Sequence, residues 1–347
     1  MTPARHHRLS IVCSNSRSDS GTIRVSQLSH SLKMPNFQSF LIFFLEILEV
    51  IFEFNKKFFK AVYDTFVPAR FRSKEVTGET VLITGAGSGL GRLLAVKFAR
   101  LGASVIIWDI NKDGNDETAQ EIRKFGGRVF PYVCDLSSRE QIYEVAAKVK
   151  DDVGEVNILV NNAGIVTGKK FLQCPDSLIQ KTFDVNTTAH FWTSKAFLPD
   201  MLSRNHGHLV TIASAAGLFG VNGLADYCAS KFGAVGFDES IREEIFNLGK
   251  DGVHTTVVCP SFINTGMFDG VKMRFDKLLP IMEPEYAASK IMEAILTNQH
   301  VLMMPRGVYL LLPLKALLPT RCSSILNKFC GISSSMDAFK GRNKKEE

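Results

Sequence analysis

No Cys-x-x-Cys pair occurs in the chain, and its seven cysteines are odd in number and widely spread. That argues against a disulfide framework and a cysteine zinc site, and it fits a reducing, cytosol-facing domain with no metal. The sequence also lacks any run of about 20 nearly uncharged apolar residues, the length a spanning helix requires. No stretch interleaves basic residues with aromatics. The net charge of +6 comes largely from scattered lysines and the two ends, so nucleic acid is not an expected partner. No internal repeat is visible, which leaves solenoids and propellers aside.

What remains has the make-up of a globular protein, with 45% hydrophobic and 22% charged residues. A length of 347 residues suits one large domain or two small ones. Residues 1–33 are rich in serine and arginine, poor in acids and without apolar periodicity. They read either as a mitochondrial-type presequence or as a dispensable extension ahead of Met34. Residues 34–67 change character, with a dense run of phenylalanine, leucine and isoleucine between Phe37 and Phe66. Glu46, Glu49 and Glu53 interrupt it on one helical face and leave a wide apolar face opposite. With Lys56, Lys57 and Lys60 following, this reads as an amphipathic helix lying in a membrane surface. Packing on the chain's own core or on a partner subunit is the competing reading. Residues 68–78 form a basic linker around Arg70 to Lys74.

From Glu79 onward, short apolar runs alternate with amphipathic helical stretches. Val81 to Ile83, Ser104 to Trp108, Val129 to Val133, Ile158 to Val160, Leu209 to Ile212 and Thr255 to Val258 read as buried strands. Leu90 to Leu101, Glu117 to Phe125, Glu140 to Val153, Ser177 to Leu202, Asp226 to Leu248 and Glu285 to Leu296 read as helices. Such alternation predicts an α/β fold, a doubly wound parallel sheet of the Rossmann kind with helices on both faces, over residues 79–305.

Immediately after the first strand comes Thr84-Gly85-Ala86-Gly87-Ser88-Gly89-Leu90-Gly91, opening a helix. Glycines there permit a tight turn and let backbone N–H groups approach a pyrophosphate. Asp109 ends the next strand at the distance expected of a ribose-binding acid. A carboxylate accepts hydrogen bonds from a ribose diol and repels a 2′-phosphate, which favours NAD. Lys112 close by softens that preference and keeps NADP open. Farther on, Tyr227 and Lys231 stand four residues apart at the start of a helix, on one face. A free phenol, with a pKa of about 10, is a poor base near neutrality, and a neighbouring cation favours its ionised form.

On these motifs the chain resembles the short-chain dehydrogenase/reductase family over about residues 79–305. The loop pattern falls on Thr84, Gly85, Gly89 and Gly91. An Asn-Asn-Ala-Gly motif follows as Asn161, Asn162, Ala163 and Gly164, and Cys134-Asp135 matches the family's adenine-contacting aspartate. Ser214 and Asn186 match the active-site serine and asparagine. The resemblance implies a tetrad of Asn186, Ser214, Tyr227 and Lys231. In it Tyr227 is the base, Ser214 holds the substrate oxygen, Lys231 lowers the phenol pKa and binds the nicotinamide ribose, and Asn186 holds a water in a proton path. It also implies cofactor contacts from Thr84, Gly85, Ser88, Gly89, Leu90, Gly91, Asp109, Asp135, Asn162, Ala163, Gly164, Pro260 and Thr265, besides Tyr227 and Lys231. One departure stands out: Ser261 follows Pro260 where the family usually has glycine.

Within the family, Ile83 to Phe98, Trp108 to Asn111, Asn161 to Phe171 and Gly220 to Phe232 are similar to the branch of retinol dehydrogenases and lipid-droplet hydroxysteroid dehydrogenases. That implies a lipophilic alcohol or ketone as partner: retinol, or alternatively a steroid or other lipid alcohol. A catalytically silent lipid-droplet scaffold is the reading from a different class. The apolar segment with Met267, Phe268, Val271, Met273, Phe275, Leu278 and Leu279 falls where family members carry a substrate-covering loop. Its greasy content suggests a hydrophobic ligand, with simple docking on the core as the alternative. Residues 306–347 comprise an apolar stretch, Val308 to Leu318, and a basic tail. The stretch holds Pro313 and Lys315 and reads as a second membrane contact or a homodimer contact. The tail, Lys344-Lys345-Glu346-Glu347, resembles a dilysine retrieval signal, which implies the cytosolic face of the endoplasmic reticulum membrane, or a lipid droplet.

Overall fold

The computed structural model describes residues 37–275 and 279–341. The extension over residues 1–33, Leu278 and the Lys344 to Glu347 tail lie outside the described residues. The chain divides into two compact units, one ending at Phe58 and the other beginning at Phe59.

Helix α1 spans Phe37–Phe66, the bounds its apolar run predicts. From Phe40 to Phe66 its phenylalanines, leucines and isoleucines are exposed. Asn55 donates to the Ile51 carbonyl, and Lys56 lies 3.2 Å from Glu53. Among the described residues no helix is long and apolar enough to cross a membrane.

In the second unit the strands are β1 (Thr80–Thr84), β2 (Ser104–Asp109), β3 (Val129–Val133), β4 (Ile158–Asn161), β5 (Gly207–Ile212), β6 (Val253–Pro260) and β7 (Val301–Met304). The helices are α2 (Gly89–Arg100), α3 (Lys112–Lys124), α4 (Arg139–Asp152), α5 (Asp176–Phe183), α6 (Ala189–Arg204), α7 (Ala225–Asn247), α8 (Pro284–Leu296), α9 (Gly307–Leu317) and α10 (Thr320–Phe329). The strands form one seven-stranded sheet in the order β3-β2-β1-β4-β5-β6-β7, and every pairing is parallel. Because the inner strands β1, β2, β4, β5 and β6 are covered on both faces, they read as nearly continuous apolar runs. Val81, Ile83, Val105 and Ile107 face Leu94, Phe98, Ile291 and Ile295. On the other face Leu82, Ile106, Leu159 and Leu209 meet Ile142, Phe197, Met201 and Ile245. Each such side chain contributes about 1.5–3 kcal/mol by leaving water, so the sheet is a rigid platform. The strand order reverses between β1 and β4, and ligands of such sheets sit at that switch point, beyond the carboxyl ends of the strands.

Three local features differ from the sequence reading. Strand β7 was not expected; it lies at the edge of the sheet, held by pairing with β6 from Val257 to Pro260. Helix α3 begins at Lys112 rather than Glu117, because Asn111 caps it by accepting from the Gly114 N–H. The helix expected over residues 177–202 is interrupted by a π-helical turn at Asp184–Thr188. Such turns widen the spacing of a helix and are frequent at functional sites. The expected linker is packed against this unit from Lys74 onward: its N–H donates to the Leu296 carbonyl, and its ammonium lies 2.8 Å from His208 Nδ1.

Candidate active site

The turn between β1 and α2 is shaped by two glycines. Gly85 has a φ of +66°, a left-handed conformation that side chains disfavour. A Cβ on Gly91 would collide with the Gly85 carbonyl oxygen and come within 2.6 Å of Asn162 Nδ2. The N-terminus of α2 therefore presses directly on the loop. Asn162 secures the loop from β4, donating from Nδ2 to the carbonyls of Thr84 and Gly85 at 2.8 and 3.2 Å. Thr84 Oγ1 accepts from the N–H groups of Asn162 and Ala163, so Thr84 acts behind the wall rather than in it.

Asp109, at the carboxyl end of β2, accepts from the Gly87 N–H and the Asn111 N–H, both at 2.8 Å. The carboxylate thus holds the loop and stands at the cavity wall. Lys112 is turned to Asp116 at 2.6 Å, which raises its pKa. Sequence reading passed over Arg92, whose Nη2 donates to the Gly87 and Gly114 carbonyls and to Glu117. Its place directly after Gly91 was the available signal. Asp135 accepts from the N–H and the hydroxyl of Ser137 and lines the cavity beside Leu136.

At the other end of the cavity, Ser214 caps a short turn after β5. Its Oγ accepts from the Ala216 N–H at 3.1 Å and donates to the Pro260 carbonyl at 3.3 Å. Tyr227, in the first turn of α7, is buried. Burial pushes its phenol up to about 12, while a hydrogen bond with Ser214 pulls the other way. The sequence reading had Lys231 drawing the phenol downward. In the structure that ammonium lies 5.9 Å from the phenol ring centroid and donates to the Ile212 carbonyl at 2.9 Å, so desolvation dominates. Burial also lowers Lys231 itself to about 8. Asn186 lies in the π-helical turn, wholly buried. It exchanges hydrogen bonds with both backbone groups of Ile165 and donates to Ser230 Oγ, which in turn donates to the Tyr227 carbonyl. Asn186 thereby ties the Gly164 loop to the helix that carries the phenol.

One cavity of about 620 Å³ joins the two ends. Its wall includes Gly85, Ser88, Gly89, Leu90, Gly91, Asp109, Asp135, Asn162, Ala163 and Gly164 on one side. On the other it includes Ser214, Tyr227, Lys231, Pro260 and Thr265. Of the residues expected in the tetrad or in contact with the cofactor, Thr84 and Asn186 stand behind the wall. Ser261 donates its N–H to the Met304 carbonyl and adds its side chain to the cavity mouth.

A family model described as short chain dehydrogenase matches residues 79–274. Human epidermal retinol dehydrogenase 2 is 57% identical over 273 residues, 78% of this chain and 88% of that protein. The chain belongs to the short-chain dehydrogenase family. Retinol dehydrogenase 10-B of Danio rerio is 44% identical and spans 86% of this chain and 95% of that one. Among solved structures, a short-chain dehydrogenase/reductase from Burkholderia phymatum in complex with NAD superimposes with a TM-score of 0.64 at 26% identity, covering 70% of this chain and 94% of that one. A metagenomic short-chain oxidoreductase in complex with NADP gives a TM-score of 0.56 at 26% identity, over 67% and 97%. This short-chain dehydrogenase is accordingly an NAD(P)-dependent oxidoreductase acting on CH–OH groups.

The roof over Tyr227 in this dehydrogenase joins part of the expected covering segment to Met336 and Phe339, which the sequence did not disclose. Phe268 packs edge-on against the Tyr227 ring at 5.7 Å and touches Phe262 and Phe339. Met336 joins the same cluster from the C-terminal segment. Met267, Met273 and Leu279 of the expected covering loop line the cavity, Val271 is buried in the cluster, and Phe275 stacks on Phe329 instead.

Proposed function

We propose that this enzyme oxidises a lipophilic alcohol, retinol to retinal, with NAD preferred over NADP, at a membrane surface. One observation carries the proposal: Ser214, Tyr227 and Lys231 line one chamber that continues into a glycine cradle. The cradle fits a dinucleotide, since Gly91 has no room for a side chain and the α2 N-terminus faces the place where a pyrophosphate is held in such folds. Bound there, a nicotinamide supplies the hydride acceptor. Gly85, Ser88, Gly89, Leu90 and Gly91 would hold the diphosphate, Asp109 the adenosine ribose and Asp135 the adenine. Asn162, Ala163 and Gly164 would flank the ribose side, and Pro260 and Thr265 the carboxamide.

In the reaction the carbinol carbon gives up hydride and its hydroxyl gives up a proton. Ser214 holds the substrate oxygen in both its alcohol and carbonyl forms, and Tyr227 takes the proton. Lys231, buried near the phenol and donating to the Ile212 carbonyl, would bind the nicotinamide ribose. Asn186 positions the turn of α7 that carries Tyr227 and holds a water on the proton's way out. Asp109 supports NAD, because a carboxylate repels a 2′-phosphate and Lys112 is engaged by Asp116. The retinoid assignment draws on the names of the relatives and on the apolar roof. Membrane attachment draws on the exposed apolar residues of α1, and the cytosolic face of the endoplasmic reticulum on the resemblance of the Lys344-Lys345-Glu346-Glu347 tail to a dilysine retrieval signal.

The test is turnover by the full chain in membranes, with retinol compared against a steroid panel and NAD against NADP. The expected result is faster oxidation of retinol with NAD, and a loss of roughly 10²- to 10⁴-fold on Tyr227→Phe. A higher kcat/KM for steroids refutes the retinoid assignment. A preference for NADP refutes the role given to Asp109. Removing residues 37–66 is expected to release the chain from membranes, and a truncated chain that still sediments with them refutes the anchor.

A further inference from the structure

Helices α9 and α10 are apolar on two sides. Leu311 of α9 and Cys330, just past α10, line the cavity, while Leu310, Leu317 and Ile325 point outward with 73%, 82% and 68% exposure. Leu314 and Leu326 do both, each lining the cavity and each exposed. At those two residues the wall between chamber and exterior is one side chain thick. Pro313 inside α9 removes a backbone donor from the helix, which weakens it where the wall is thin. Tethers to the rest of the unit come from polar side chains: Lys315 donates to the Leu218 carbonyl, and Arg274 to the Phe329 carbonyl.

The charge along this segment has one sign. From Arg306 to Met336 the chain has no acidic residue and four basic ones, Arg306, Lys315, Arg321 and Lys328. An exposed apolar face whose own charged residues are all cations matches an anionic lipid surface, where apolar side chains enter the acyl boundary and basic ones meet headgroups. A second copy of the same face would oppose cations with cations, without a carboxylate on either side.

We propose that α9 and α10 form a gate seated in an anionic membrane surface, through which a lipophilic alcohol passes between Leu314 and Leu326 into the chamber above Tyr227. This rests on the reading that the chamber takes such an alcohol. It adds a route and a lipid preference that do not depend on α1.

The experiment uses the full chain and vesicles of phosphatidylcholine with or without phosphatidylserine. Retinol is supplied dissolved in the vesicles, and cyclohexanol is supplied in water. Combining Leu317→Glu with Ile325→Glu is expected to lower kcat/KM for vesicle-borne retinol roughly tenfold and leave cyclohexanol turnover unchanged. Arg321→Glu with Lys328→Glu is expected to abolish the advantage of phosphatidylserine vesicles. Unchanged retinol turnover in the glutamate variants overturns the gate, as does equal loss on both alcohols. A second measurement stands apart from activity: Leu317→Trp is expected to show quenching by brominated lipids above that of the parent chain. Absence of that extra quenching overturns the proposal, and so does lipid-free self-association that burying Leu317 explains. If neither alcohol is oxidised by the parent chain, the enzymatic reading fails, while the quenching result still decides the membrane contact.

Discussion

At the end of the cavity beneath β1 and β2, the wall is largely backbone. Gly85 and Gly91 bring main chain to main chain, and Asn162 and Asp109 fasten it with hydrogen bonds of about 2.8 Å. At the end beneath α9 and α10, the wall is aliphatic and aromatic side chain, from Phe268, Leu279, Leu314 and Leu326. The two ends meet at Ser214 and Tyr227. A backbone wall admits one ligand shape, because its donors are fixed by φ and ψ. A side-chain wall excludes water and adapts by rotamer. The contrast suits a cofactor that must be placed accurately and an alcohol that need only be greasy and presented by one oxygen.

The contrast breaks most severely at Gly91. Gly91→Ala places a methyl against the Gly85 carbonyl and Asn162 Nδ2, so the KM for the dinucleotide is expected to rise roughly tenfold or more. Isothermal titration with NAD checks this, and unchanged affinity would mean that the backbone wall yields more readily than its hydrogen bonds imply. Phe268→Ala is the matching change at the other end. It removes the ring packed on Tyr227, Phe262 and Phe339. A loss of about tenfold in kcat/KM for retinol is expected, with dinucleotide affinity intact. Equal effects on both ligands would show that the ends are not independent.

The smallest expected effect lies outside both ends and serves as their control. Burial pushes the carboxyl of Asp238, on α7, up to about 7, against the pull of Arg242; an unfolded aspartate titrates near 3.9. Between those values the folded chain binds more protons than the unfolded one, so this group's contribution to stability falls as pH rises through the window. Asp238→Asn removes that dependence. Its Tm relative to the parent is expected to increase by roughly 2–4 °C between pH 5 and pH 7.5, read by thermal melts at both. A constant difference would mean that Arg242 holds Asp238 ionised throughout.

The backbone end was the more legible in sequence. Thr84 to Gly91, Asp109 and Asn161 to Gly164 lie close to the strands that carry them, and glycine is conspicuous because few positions tolerate its absence. Six of the seven strands showed as apolar runs; β7 did not, because four residues paired at the edge of a sheet leave no distinctive period. The side-chain end was less visible. Met336 and Phe339 reach Phe268 and Tyr227 across a long separation in sequence, and a hydrophobic residue in a C-terminal segment looks the same whether it lines a cavity or faces outward. Asn186 was found by motif, but the π-helical turn that buries it was not, since the turn leaves the apolar period of α5 and α6 nearly intact.

The amino-acid sequence by itself determined the parallel sheet, the phosphate-type loop and the spacing of Tyr227 and Lys231, because these depend on local periodicity, on glycine and on a short separation along one helix, while Ser214 and Asn186 came from the family resemblance. Only the tertiary structure decided that burial, rather than the Lys231 ammonium, dominates the phenol's acidity, and that α9 and α10 help to line the chamber. Those outcomes depend on which distant segments share a boundary and on how completely each group leaves water, and neither is set by neighbours in the chain.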